Sequence, residues 1–161
     1  MAAEMRALPL LLVALILCGC VQQEASQTNQ VDKTYPVYPN FLLSPGDVLT
    51  TDTSIICTVG YTKTVRDVPD SLKKQVYAEY GVTPVPYAYE IDHVISLELG
   101  GSNDVRNLFP EPYNISLGAR QKDVVENYLH KQVCQESMSI QEAQQLIVYN
   151  WTDVYARIKG P

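Results

Sequence analysis

Apolar and polar positions change their period several times along the chain. Leu8 to Leu17 is an almost unbroken run of Leu, Val, Ile and Ala with one proline, Pro9. It is too short to span a bilayer and has the length of a signal-peptide core. Val21 to Asn40 is rich in Gln, Ser and Thr and reads as a tether. Phe41-Leu42-Leu43 begins the apolar part, and Ser44-Pro45-Gly46-Asp47 is a turn. Thr50 to Arg66, rich in Thr, Ile, Val and Tyr, predicts short strands that include Cys57. A helix follows, with Pro69 at its first turn and Gly81 just past its end. It places Leu72, Val76, Tyr77 and Tyr80 on one face. Thr83-Pro84-Val85-Pro86 leads into an extended segment.

From Tyr87 the period falls to two. Tyr87, Tyr89, Ile91 and His93 alternate with Ala88, Glu90, Asp92 and Val94, predicting a strand in the segment up to Leu99. Gly100-Gly101-Ser102-Asn103 is a loop. Val105 to Phe109 is a second short strand, closed by Pro110 and Pro112. A helix over about Gly118 to Val133 aligns Val125, Leu129 and Val133. Ser139 and Glu142 form a capping box. It opens a last helix, whose apolar stripe runs from Ala143 through Leu146, Ile147, Trp151, Val154 and Tyr155 to Ile158. The fold class is α+β, with a β-rich N-terminal extension and additional helices around a strand–strand–helix core. The segments divide as 1–20 signal, 21–40 tether and 41–161 domain, with the core motif at 87–134.

Composition narrows the function. The 161 residues suit one domain with appendages, and 2 Phe against 11 Tyr suit a small, partly wet core. A net charge of −6 excludes a protein that merely coats nucleic acid, which needs Lys and Arg to displace counterions. It leaves room for a local site acting on a phosphodiester. The signal core ends in Leu17-Cys18-Gly19-Cys20, which resembles a bacterial lipobox with Cys20 as the lipidated residue; the alternative is an ordinary cleaved signal. Val21 follows without a retaining Asp. The expected address is therefore the periplasm or cell surface, lipid-anchored, at the outer membrane if the host has one. Cys57 and Cys134 then remain as an even pair in an exported chain, which reads as a disulfide contributing about 3–4 kcal/mol. Two buried free thiols are the alternative.

The candidate chemistry lies in Glu90-Ile91-Asp92-His93-Val94-Ile95-Ser96-Leu97-Glu98-Leu99-Gly100-Gly101-Ser102-Asn103-Asp104 and Asn107-Leu108-Phe109-Pro110. Histidine titrates near neutrality and suits a general base, while a carboxylate suits a hard divalent ion. Neighbouring strand residues point to opposite faces, so Asp92 and His93 can share a site only if the strand ends or bends there.

These motifs, at this spacing, resemble the HNH (ββα-metal) endonuclease family, over about Tyr87 to Cys134. The flanking Ile56–Arg66 and Leu129–Cys134 blocks are similar to extensions in small exported HNH-like bacterial proteins. The resemblance implies a metal-dependent endonuclease, acting on DNA before RNA. His93 would be the base, Asp92 the first metal ligand, and Asn107 the residue that orients the His93 loop. The family has a third ligand, His or Asn, near the start of the following helix. Asn114 is the first candidate for it, with Glu126 and His130 as alternatives. The cofactor implied is one divalent ion: Mg2+, with Mn2+ or Zn2+ as alternatives. Arg106 and Arg120 are the candidate phosphate contacts. Nucleic acid and, through the lipid anchor, a membrane are the expected partners; no protein partner is inferred. Glu126 is expected to be solvated or paired with Lys122, and Ser96 stands where the family usually has Pro. The competing reading is a catalytically silent HNH-like envelope module that binds or supports something else.

Overall fold

A computed structural model describes residues 38–113 and 115–160. The signal segment, Cys20, most of the tether and Asn114 lie outside the described residues. The fold is mixed α+β, with helices α1 Thr53–Ile56, α2 Tyr61–Val65 and α3 Asp70–Tyr80, strands β1 Tyr89–His93 and β2 Leu108–Pro112, and helices α4 Ala119–Cys134, α5 Ile140–Tyr149 and α6 Trp151–Lys159. No described helix is long and apolar enough to cross a membrane.

The expected β-rich extension is helical instead. Asp52 caps α1 by accepting from the Ser54 backbone N–H at 2.9 Å, and Gly60 starts α2 in the left-handed region at φ 84°. The Thr, Ile and Val content of this stretch favours strands, but strands need a partner edge. Neither the α1 nor the α2 segment pairs along an outer edge of the described β1–β2 sheet. Capping and burial of Ile56 and Tyr61 decide the outcome locally. α3 follows the sequence reading: Pro69 precedes it, Gly81 ends it at φ 62°, and Val76 is fully buried.

β1 and β2 pair antiparallel, Asp92 opposite Phe109 and Glu90 opposite Glu111. The second strand lies further along than expected. Val105–Asn107 is a 3-10 turn, and Pro110 and Pro112 lie inside β2. Prolines two apart place both missing donors on one edge. The Tyr113 N–H, in phase with Phe109 and Glu111, donates to Ala88 O at 2.9 Å, so the proline edge faces away from β1. β1 stops at His93, where Val94 turns out of the strand and a 3-10 turn forms over Leu97–Leu99.

The Gly100-Gly101 loop is clamped against the 46–50 segment, with Leu49 N donating to Gly100 O at 2.8 Å and Ser102 N to Asp47 O at 3.0 Å. A Cβ on Gly101 would sit 1.8 Å from Ile95 O, so this approach admits glycine alone. α4 packs on α5, α6 and the Leu97–Leu99 turn. Val125, Leu129 and Val133 join Phe109, Ile147, Trp151 and Val154 in the core. Each such aliphatic side chain contributes about 1.5–3 kcal/mol by leaving water. Tyr38, expected in the tether, packs its ring on Trp151 at 6.2 Å. The predicted last helix is two helices, broken at Asn150, whose backbone leaves the helical region at φ −139°. Ser139 caps α5 as expected, accepting from Glu142 N at 3.2 Å. Cys57 and Cys134 form a disulfide with Cα atoms 5.6 Å apart, tying α1 to the end of α4.

Candidate active site

The end of β1 brings Asp92 and His93 to one cleft of about 180 Å³, which Arg66, Glu98, Asp123 and Glu126 also line. His93 Nδ1 lies 3.9 Å from Asp92 Oδ1. The strand end thus resolves the opposite-face problem that adjacent residues pose. His93 is 1% exposed and sits on the cleft wall.

Its other nitrogen is spoken for. His93 Nε2 lies 3.1 Å from Asn103 Oδ1, and Asn103 Nδ2 donates to Val65 O at 2.7 Å. Because the Asn103 amide nitrogen is used on Val65, its oxygen faces the ring, and Nε2 must carry the hydrogen. That leaves Nδ1 on the Asp92 side, 3.9 Å from its Oδ1. Asn103 was not singled out in the sequence; a polar residue in a Gly-rich loop reads as turn chemistry.

Asn107 is fully buried and braces the loop after β1. Its Oδ1 accepts from Ile95 N at 2.9 Å and Asp47 N at 3.2 Å, and its Nδ2 donates to Ile95 O at 2.9 Å and Ser102 O at 2.8 Å. The same side chain fixes the 46–47 turn, the strand exit and the Gly-Gly loop, without touching the His93 ring in any of these bonds.

Lys122 is the residue that the sequence hides. It lies in the first turns of α4, is 2% exposed, and its Nζ donates to Asp92 Oδ2 at 2.6 Å, His93 O at 2.8 Å and Glu126 Oε1 at 2.5 Å. Glu111 Oε2 is 4.0 Å away. A Lys–Glu pair four residues apart is ordinary on a solvated helix face; here β1 and β2 cover it. Burial opposes the charge on Lys122, but Asp92, Glu126 and Glu111 outweigh burial and hold the ammonium well above its usual range. Burial likewise opposes ionisation of Asp92, but the Lys122 charge together with hydrogen bonding to His93, Glu111 and Lys122 outweighs it, keeping that carboxyl well below its usual range. Glu111 is further from the ammonium: burial, with Asp92 adding and Lys122 opposing, pushes it up to about 10, and as a neutral acid it can donate to Asp92. Burial pushes Glu126 up to about 8, Lys122 opposing. Glu90, also on β1, is raised to about 7 by burial and by Asp92 and Asp123.

A divalent ion at Asp92 does not fit this arrangement. Asp92 Oδ2 is turned onto the Lys122 ammonium, leaving Oδ1 on the His93 side, and a cation bridging both oxygens would meet the ammonium charge. His130 is elsewhere: its Nδ1 is 3.7 Å from Glu98 Oε2 and its Nε2 is 3.3 Å from Cys134 Sγ. Cys57, His130 and Cys134 hold their ligand atoms within 4.8 Å of one another, but both sulfurs are spent on the disulfide. Arg106 is exposed on its turn and Arg120 stacks over Tyr113 at 4.8 Å. Neither lines the cleft, and the arginine that does is Arg66.

Compared with models of known protein families, with curated proteins and with solved structures, the chain matches none.

Proposed function

We propose that the domain hydrolyses phosphodiester bonds of nucleic acid, DNA before RNA, in the cleft beside His93, as an HNH-like endonuclease. The observation that carries the reading is the state of the His93 ring. Asn103 holds Nε2–H, which leaves Nδ1 as a proton acceptor beside Asp92 on the cleft wall. A base fixed in one tautomer is what activation of water requires. His93 Nδ1 takes the proton from water as its oxygen attacks phosphorus, the P–O bond to the leaving nucleoside oxygen breaks, and that oxygen takes its proton from solvent. Arg66, exposed at the cleft, is the cation that meets the phosphate oxygens. Asn107 holds the loop that follows His93.

The proposed exported, lipid-anchored address through Cys20 gives such an enzyme access to nucleic acid outside the cytoplasm. The disulfide is of a kind that persists in oxidising compartments.

One observation favours a second reading, a catalytically silent envelope module. Besides the Lys122-paired Asp92 and Glu126, the cleft lining carries Glu98 and Asp123 against Arg66, a balance that does not favour phosphate. Nicking of supercoiled plasmid separates the two. The nuclease reading expects nicking by the wild-type protein and its loss in His93→Gln. Wild-type protein that leaves the plasmid intact, with and without added Mg2+, Mn2+ or Zn2+, supports the silent module.

A further inference from the structure

Carboxylates from three elements converge on one buried nitrogen: Asp92 of β1, Glu111 of β2 and Glu126 of α4 lie 2.6, 4.0 and 2.5 Å from Lys122 Nζ. The carbonyl of His93 completes the shell at 2.8 Å. An ammonium has three hydrogens, and Asp92, Glu126 and His93 O take all of them. An all-oxygen shell of carboxylates and a carbonyl is also what a hard divalent cation selects. The nitrogen stands at the end of the reactive strand, and its side chain comes from the early part of α4, where the HNH resemblance places a metal-ligating His or Asn. Glu111 is fully buried at 4.0 Å from the same nitrogen and stands beside Asp92, so its carboxyl belongs to the same shell.

We propose that Lys122 is the resident cation of this site: its ammonium fills the position a divalent ion would take, closes the site to metal, and leaves a metal-binding shell of Asp92, Glu111 and Glu126 when it is removed. The comparison with a metal position rests on the HNH-like reading; the shell itself does not. An ammonium differs from a metal ion in what it offers. It anchors Asp92 and the strand exit permanently, and it cannot be chelated. Lys122 is therefore a positioning residue, which holds Asp92 and the His93 backbone in place without reaching the substrate.

The probe is Mn2+, followed by loss of its free-ion EPR signal, with the full chain. The wild-type protein should leave the signal unchanged. Lys122→Met should take up one Mn2+ per chain, and Asp92→Asn in that background should abolish uptake. Should Lys122→Met fail to fold in Mn2+-free buffer, Mn2+ should restore a cooperative unfolding transition. Stoichiometric uptake by the wild type that Asp92→Asn removes would overturn the proposal. So would a folded Lys122→Met that takes up none, or an unfolded one that Mn2+ does not restore. Parallel cleavage assays keep this apart from the nuclease reading. A wild type that neither binds Mn2+ nor cleaves DNA ends the nuclease reading and leaves Lys122 as assigned. A wild type that binds Mn2+ at Asp92 and cleaves with it does the reverse.

Discussion

Asn103 Oδ1 accepts from His93 Nε2 at 3.1 Å, and through this contact a loop residue ten positions away decides which ring nitrogen can take a proton. The amide is itself anchored on Val65 O, at the end of α2, so a helix outside the sheet sets the chemistry at the end of β1. Asn103→Ala frees the ring to adopt either tautomer. Losing one such bond costs about 1 kcal/mol, which predicts about a fivefold fall in cleavage rate, with substrate affinity little changed. Single-turnover cleavage separates the two, and a change confined to affinity would place Asn103 on the substrate rather than on the base.

Asn107→Ala should act on stability first. It strips partners from two backbone N–H groups and two carbonyls. Even if water reaches some of them, the loss should be about 3 kcal/mol or more. Urea unfolding measures it. A variant as stable as the wild type would remove Asn107 from the frame.

Stability should be greatest in mildly acid solution. Glu111 is raised to about 10 and Glu126 to about 8, while an unfolded chain titrates them near 4.3. As pH rises, the unfolded state loses protons that the folded state keeps, so stability falls on the way to pH 8–10. Asp92 is held low by Lys122, so its contribution disappears as pH falls below its usual range. The melting temperature should peak between about pH 4 and 5 and drop by about 4 °C or more by pH 9. Glu111→Gln mimics the neutral acid and should flatten the alkaline limb. An unchanged limb would mean that Glu111 is ionised in the fold.

Reduction of the Cys57–Cys134 bond opens a loop spanning 77 residues, which predicts a loss of about 4 kcal/mol. Thermal melts with and without reductant measure it. Intact mass should rise by two hydrogens on reduction, and thiols that alkylate freely without reductant would contradict the pairing.

The sequence shows the strand–loop–strand–helix order because each piece has a local signature: alternation before His93, paired glycines, and the Val125, Leu129 and Val133 stripe. The Cys57–Cys134 pair and the caps at Gly81 and Ser139 are legible for the same reason. What it conceals is non-local. Thr53–Ile56 and Tyr61–Val65 have strand-like composition and become helices through the Asp52 cap and the burial of Ile56 and Tyr61, which depends on the rest of the fold. Lys122 and Glu126 read as a surface pair until β1 and β2 are folded over them. Pro110 and Pro112 read as a stop until the sheet proves to have only two described strands, and β2 a free edge.

The central claim is that His93 is the base of a phosphodiester hydrolase, and chemical rescue tests it most directly. His93→Gly should lose about 10²- to 10⁴-fold in cleavage rate. Added imidazole should restore part of that rate in proportion to its unprotonated fraction, and should do nothing for the wild type. A His93→Gly protein that cleaves DNA at the wild-type rate without imidazole would contradict the claim.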